Sequence, residues 1–231
     1  MEIIARIRND YSEKFGVPRQ AGLAGHSESR IVMEPLFRIR EAFRGIEACS
    51  HIWLIWGFSE NEGRGWSPTV RPQQLGGNTR LGVFATRSPF RPNGIGISAV
   101  KLESVDLDDP DGAWLTVSGA DLMNGTPIYD IKPYVALSDA HPEASDVLDG
   151  RRVRKKLKVI CSGKLLSSFA EHERLGLLEP LELDPRPAYQ DDPDRIYGMA
   201  FAGRNVRFKV ENDVLTVLGI EKAAAAAERK I

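Results

Sequence analysis

Short runs of alternating or β-branched residues recur along the chain: "EIIARIR", "SRIVME", "HIWLIWGF", "RLGVFAT", "IGISAVKLESV", "AWLTVSG" and "KLKVICS". Turns rich in Gly, Pro and Asp, such as "DLDDPDGA", separate them. Alternation puts every second side chain on one face, so each run can bury one face and wet the other. Strands at this spacing with few helices between them predict an antiparallel barrel or sandwich, not a βαβ series. One helix is expected over "PLFRIREAFRG", where Leu36, Phe37, Ile39, Ala42 and Phe43 form an apolar face ending at Gly45.

The character changes near residue 150. "LDGRRVRKKLKV" is strongly basic, and "GKLLSSFAEHERLG" reads as one amphipathic helix closing at Gly176. A proline- and acid-rich stretch leads to three further strands in "RIYGMAFAG", "NVRFKVEND" and "VLTVLGIE". The expected organisation is a mainly β domain over residues 1–150 and a smaller α+β domain over 151–231, with "KAAAAAERKI" as a frayed or disordered end. With 42% of residues apolar and 27% charged, the chain can build a real core. The formal net charge is -1, so any phosphate or nucleic-acid binding must come from a local patch.

Several chemistries are excluded by pattern. Cys49 and Cys161 stand far apart with no CxxC or Cys/His cluster, so two buried thiols are expected and no metal site. "MEIIARIRND" lacks an apolar signal core, and no run approaches membrane-spanning length, which together predict a cytoplasmic protein. Gly94, Gly96 and Ala99 satisfy G-x-G-x-x-A, but a proline-rich turn precedes them and an alternating strand follows. A dinucleotide fingerprint needs the opposite order, and there is no Walker loop.

What remains is a set of arginine-bearing loops. "GVFATRSPFRPNGIGIS" holds Arg87 and Arg91 without any acid, on a segment that Pro89 and Pro92 keep from being helical. Such rigid loops suit carboxylate or phosphate recognition by arginine forks, although two ordinary solvated arginines fit equally well. "VPRQAG" and "VRPQQLGGNTR" repeat the flavour, each as a well-made turn or as part of one binding surface, with Gly76 and Gly77 able to admit a ligand closely. In "NGTPIYDIKPYV", alternation places Asp130, Lys132 and Tyr134 on one face, as a plain ion pair or as a catalytic group. Arg152, Arg154, Lys156 and Lys158 would share one side of a basic strand, either facing RNA or guarding a sheet edge. His172 in "EHER" reads as solvated.

"TVRPQQLGGNTRLGVFATRSPFRPNGIGIS" followed by "NGTPIYDIKPY" resembles the bacterial S-adenosylmethionine-dependent tRNA adenine-N6 methyltransferases of the TsaA-like or TrmO type. "YSEKFGVPRQAGL" and "EACSHIWLIWGF" match the same family in order, and "DPRPAYQ", "DRIYG" and "RNVRFKV" resemble the C-terminal extension of its longer members. The resemblance spans about residues 3–220. It implies a single-sheeted antiparallel β-barrel, a homodimer with S-adenosyl-L-methionine near the subunit interface, and no metal. The implied substrate is a tRNA whose adenosine 3′ of the anticodon already carries a threonylcarbamoyl group on N6. Carried onto this chain, it places Pro18, Arg19, Gln20, Ser59, Glu60, Arg87, Ile97 and the turn Asn124, Gly125, Thr126, Pro127 at the cofactor. Arg91 and Asn93 fall to the substrate, and Asp130, Lys132 and Tyr134 to catalysis, with Asp130 as general base. Asn124 stands where many members have Asp, and Gly94 where Pro is common; both keep a turn possible, but Asn124 brings no carboxylate.

Overall fold

The alternating runs close on themselves in a computed structural model of the chain, which describes residues 1–61, 63–72, 75, 78–109, 112–147, 156–187, 190 and 192–222. Strands β1 (Ala5–Arg8), β2 (Glu28–Met33), β3 (His51–Gly57), β6 (Ile95–Asp106), β7 (Trp114–Ser118) and β8 (Pro127–Pro133) form a closed barrel in the order β1-β2-β7-β6-β3-β8. Every neighbouring pair is antiparallel, and β8 returns to β1 with Arg6 opposite Pro127. Inward residues Ile7, Ile31, Ile52, Leu54, Leu115, Val117 and Ile128 are fully or almost fully buried. Each such aliphatic side chain contributes about 1.5–3 kcal/mol on leaving water. The two-residue strands β4 (Thr69–Val70) and β5 (Leu81–Gly82) pair with each other inside the long β3–β6 connection.

After the barrel come a single helical turn α1 (Ala136–Asp139), strand β9 (Lys158–Ile160), a second turn α2 (Gly163–Leu166) and helix α3 (Glu171–Glu182). Strands β10 (Tyr197–Phe201), β11 (Arg204–Glu211) and β12 (Val214–Lys222) follow, and β9 joins β12 in parallel to give the order β10-β11-β12-β9. Leu177, Leu181, Met199, Phe201, Phe208 and Leu215 make a second hydrophobic cluster on this sheet. Tyr11, Phe15 and Val17, from the loop after β1, belong to that second cluster and not to the barrel's.

Four local expectations give way to tertiary packing. "PLFRIREAFRG" is no α-helix but two 3-10 turns, Pro35–Phe37 and Arg40–Phe43, with Ile39 extended between them. Phe43 plugs into the barrel core with Phe37 packed behind it, while Leu36 and Ile39 stay exposed. "GKLLSSFAEHERLG" breaks after α2, and α3 runs past Gly176 to Glu182. A Cβ at Gly176 would meet the Phe201 ring at 3.4 Å and Ser27 Cα at 3.7 Å, so the glycine permits close packing and caps nothing. "RLGVFAT" supplies only β5 before a 3-10 turn at Val83–Ala85. Cys49 and Cys161 are free but only partly buried. Residues 148–155, which hold Arg152 and Arg154, lie outside the described residues, as do Gly76, Gly77 and the tail 223–231.

Candidate active site

One rim of the barrel gathers the loops of interest. Strand β3 ends there at Gly57, β6 and β8 begin there, and β1 and β7 end there. Residues 9–22, 58–61, 86–94 and 119–126 therefore converge on this rim, although they are distant in sequence. The "NGTP" turn is part of the closure: the Gly125 amide donates to Ile7 O at 2.8 Å and the Ile7 amide to Thr126 O at 3.1 Å. Asn124 Oδ1 accepts from the Asn9 amide at 3.2 Å, so the residue keeps the turn without a carboxylate. Gly125 adopts φ 83°, where a side chain would be strained. Thr126 and Pro127 are buried, while Ser59, Glu60 and Asn93 are exposed on the rim.

The arginines divide by role. Arg87 is exposed and its Nη1 donates to Gln20 Oε1 at 2.9 Å, which joins the "ATRS" and "PRQ" loops. Arg91 turns inward and donates from Nη1 to Val83 O at 3.1 Å and to Thr86 O at 2.5 Å, locking its own loop. Arg19 donates to Asp184 O at 3.1 Å and Arg186 O at 2.7 Å, tying the rim to the C-terminal half. Pro18 beside it is buried.

Near Arg87 lies a polar chain, buried at Trp56 and Ser98 and partly buried at Asp121, that motif reading missed. Trp56 Nε1 donates to Ser98 Oγ at 3.0 Å, and Ser98 Oγ donates to Asp121 Oδ1 at 2.5 Å. Ser98 is 1% exposed. Burial pushes the Asp121 carboxyl above its ordinary value, against the pull of Ser98, its own amide, the Arg87 charge and the Ala21 amide. The only sequence signal is a lone acid between Ala120 and Leu122, both core residues. Gly96 makes the arrangement possible, because a Cβ there would overlap the Trp56 indole. The glycine serves a side chain of this chain rather than a ligand.

Asp130, Lys132 and Tyr134 sit elsewhere. Register aligns Asp130 with Ile55 and Ile97, and Lys132 with Trp53 and Ala99, on the outer face of the barrel. Trp56 and Ser98, by contrast, point inward. Lys132 Nζ pairs with Asp130 Oδ2 at 2.8 Å, and Asp130 Oδ1 accepts from the Ile131 amide at 2.9 Å. Tyr134 lies at the far end of the strand, its ring 5.4 Å from Trp53 and 6.1 Å from His51. Ile97, 47% exposed, keeps company with this outer group and not with Arg87. The structure thus sorts the sequence-predicted residues into a rim group around Gln20 and Arg87 and an outer-face group around Asp130.

The β3–β6 connection completes the rim. From Gly63 to Leu102 the sequence has no acid, while Arg64, Arg71, Arg80, Arg87, Arg91 and Lys101 are cations. Hydrogen bonds from Ser67 N to Phe90 O, Val83 N to Pro68 O and Arg80 to Thr69 knit the described part of it together. It presents Trp66 at 55% and Phe84 at 74% exposure, with the Arg91 guanidinium 5.8 Å from the Phe84 ring centroid. Cations interleaved with open aromatic faces suit unpaired nucleotides. Among the described residues no group of three or more His, Cys, Asp or Glu is placed to hold a metal, and no helix is long and apolar enough to cross a membrane.

Comparison with known proteins agrees across nearly the whole chain. A family model described as the tRNA-methyltransferase O N-terminal domain matches residues 6–140, and one for the TrmO C-terminal domain matches residues 155–223. The tRNA (adenine(37)-N6)-methyltransferase of Escherichia coli K12 is 37% identical over 228 residues, covering 95% of this chain and 97% of that protein. A Pseudomonas aeruginosa protein described as the putative S-adenosylmethionine-dependent methyltransferase RcsF is 39% identical over 94% of this chain and 95% of its own length. The crystal structure of TrmO from the same species superposes with a TM-score of 0.76 at 32% identity, covering 95% of both chains. The chain belongs to the tRNA-methyltransferase O family of S-adenosylmethionine-dependent enzymes.

Proposed function

We propose that this protein methylates N6 of the adenosine just 3′ of the tRNA anticodon, on a base that already carries a threonylcarbamoyl group there. The observation that carries this reading is the convergence, on one barrel rim, of the Gln20–Arg87 pair and an acid-free, arginine- and aromatic-bearing loop. The end-to-end match to an E. coli enzyme named for adenine 37 supports the same target.

S-adenosyl-L-methionine supplies, when bound, a methyl group activated on a sulfonium. The rim suits such a ligand chemically: the exposed Arg87 fork can take a carboxylate, and the Asp121 carboxylate favours positive charge nearby. Gln20 and Arg87 would hold it, with Ser59, Glu60 and the Asn124–Pro127 turn bordering it. Arg91 and Asn93 would face the substrate, with Arg91 also holding its own loop through Nη1 and lying over Phe84. An acylated N6 is a poor neutral nucleophile but a more acidic N–H, so removal of its proton matters. Asp130 is assigned as the acceptor of that proton, and Lys132 as the cation that balances negative charge on the carbamoyl oxygen. Tyr134, next after Lys132 on the same face and packed beside Trp53 and His51, is the alternative group for that oxygen.

Asp130 and Lys132 lie on the outer face of the β3–β6–β8 layer, whereas Trp56 and Ser98, which lead to Asp121 and the rim, point to its inner face. A homodimer that seats the outer face of one protomer against the rim of its partner would bring the two groups together, in keeping with the family resemblance. The rival reading is a non-catalytic barrel that senses the cofactor, and the half-exposed Asp130–Lys132 pair, ordinary for a surface, is the feature in its favour. Methyl transfer from labelled cofactor decides between them. Threonylcarbamoylated tRNA should gain label on the modified adenosine and unmodified tRNA should not; cofactor binding without label in either tRNA leaves the sensor.

A further inference from the structure

Asp121 is partly buried between the core residues Ala120 and Leu122, and neither a barrel core nor a turn requires an acid there. A carboxylate drawn part-way out of water needs partners. Asp121 accepts from the Ser98 hydroxyl on β6, itself held by Trp56 of β3. The Ala21 amide in the loop after β1 and the Arg87 charge in the loop before β6 also act on its carboxyl, without a direct ion pair to Arg87. Gly22, next to Ala21, is tied to the same place, its amide donating to Gly119 O at 2.8 Å. Arg87 in turn reaches Gln20, one residue before Ala21. Asp121 therefore stands under the point where the "PRQ" and "ATRS" loops meet.

We propose that Asp121 is a positioning residue for the cofactor pocket, its carboxylate anchored by Ser98 so that it fixes the Gln20–Ala21 turn and orients the Arg87 guanidinium. The proposal rests on the reading of Gln20 and Arg87 as cofactor-holding groups. An unguided Arg87 would sample many rotamers in solvent, and each binding event would have to order it; a fixed negative charge beneath it removes that cost in advance. The Trp56–Ser98 pair matters because it keeps the carboxylate from turning out to pair fully with the arginine, which leaves the outer part of the fork for a ligand carboxylate.

Asp121→Asn keeps the shape and an acceptor for Ser98 while removing the charge. Without any cofactor, the Arg87 Nε–Hε resonance, assigned from its loss in Arg87→Ala, should be sharp in the unaltered protein and broadened in Asp121→Asn. Titration with S-adenosyl-L-methionine should show affinity lowered about tenfold in Asp121→Asn, the size of one charge-assisted hydrogen bond. In the Arg87→Ala background the same change should have a clearly smaller effect, since the part exerted through Arg87 is already gone and only the hold on the Gln20–Ala21 turn remains. Equal losses in both backgrounds, or an Arg87 resonance and affinity untouched by Asp121→Asn, overturn the proposal. Ser98→Ala checks the anchor, and should reproduce part of the broadening with the charge retained. If the unaltered protein binds no cofactor, the pocket reading fails first, and the resonance still reports whether Asp121 orders Arg87.

Discussion

Asp130 and Lys132 close their ion pair at 2.8 Å with side chains 46% and 62% exposed, so water screens most of the attraction. Pairs of this kind contribute about 0–1 kcal/mol to stability. A purely structural role for Asp130 is thus a weak one, and Asp130→Asn should melt within a degree or two of the parent. If Asp130 accepts the N6 proton, single-turnover methylation should slow by roughly 10²–10⁴-fold in the same variant while cofactor affinity holds. A normal rate removes the residue from the chemistry. Asp121 titrates in the opposite sense from a stabilising carboxylate. Its folded-state value is raised, so the fold holds the proton more tightly than the unfolded chain does. Stability from this group is present below the ordinary value of 3.8 and is lost as pH rises through the raised one. Asp121→Asn lacks that loss, and its melting temperature relative to the parent should climb between acid and neutral pH. A pH-independent difference would contradict the burial argument. These two acids also mark what a sequence can disclose. The Asp130–Lys132 pair is two residues apart on a strand, and alternation alone places it. Trp56, Ser98 and Asp121 meet only through the β3–β6 register and the folding of the rim, which no local pattern encodes.

Strands were legible because period-two burial is imposed by the strand itself, whereas the helical segments depended on what they packed against. Leu36, Ile39 and Phe43 have helical spacing, yet only Phe43 is buried, because plugging the barrel end gains more than a regular turn. Glycine at 176 reads as a stop signal, but its use is to bring α3 against Phe201. The same close-approach logic makes β6 sensitive at Gly96. Gly96→Ala forces the Trp56 indole off Ser98, which should cost about 1–3 kcal/mol by overpacking. Because the indole also anchors the Asp121 chain, cofactor affinity should fall with stability. A variant that melts normally would mean that the indole has room to move. The β3–β6 connection is predicted to act as an element of RNA contact. Removing the exposed ring in Phe84→Ala should weaken tRNA binding by about 1–3 kcal/mol, one stacked base, and leave cofactor affinity alone. Unchanged tRNA affinity with a shift from dimer to monomer would reassign that ring to a subunit interface.

Across the whole molecule the two hydrophobic clusters are lashed by the loop that also builds the rim. Tyr11, Phe15 and Val17 pack into the second cluster, Glu13 accepts from the Ala200 amide at 2.9 Å, and Arg19 donates to the 184 and 186 carbonyls. His26 Nδ1 meets Glu179 Oε1 of α3 at 2.6 Å. The C-terminal half thus steadies the loop carrying Gln20, which makes the rim a property of the full chain. Among the described residues no hydrogen bond or ion pair ties the Asp130–Lys132 pair to the Gln20–Arg87 pair. If a second copy supplies that tie, each site takes Arg87 from one chain and Asp130 from the other, and a closed two-fold pair contains two such sites. Arg87→Ala and Asp130→Asn, each inactive as a homodimer, can then rescue each other. Co-expressed with different tags and purified on both, the heterodimer concentrates both defects in one site and leaves the other intact. Its methylation rate should reach about half that of the unaltered dimer. A site formed within one protomer would leave every site in that heterodimer defective, with no recovery above either variant alone. A protein that sediments as a monomer at working concentration, with full activity, would exclude the shared site and require Asp130 and Arg87 to meet by movement of the rim loops instead.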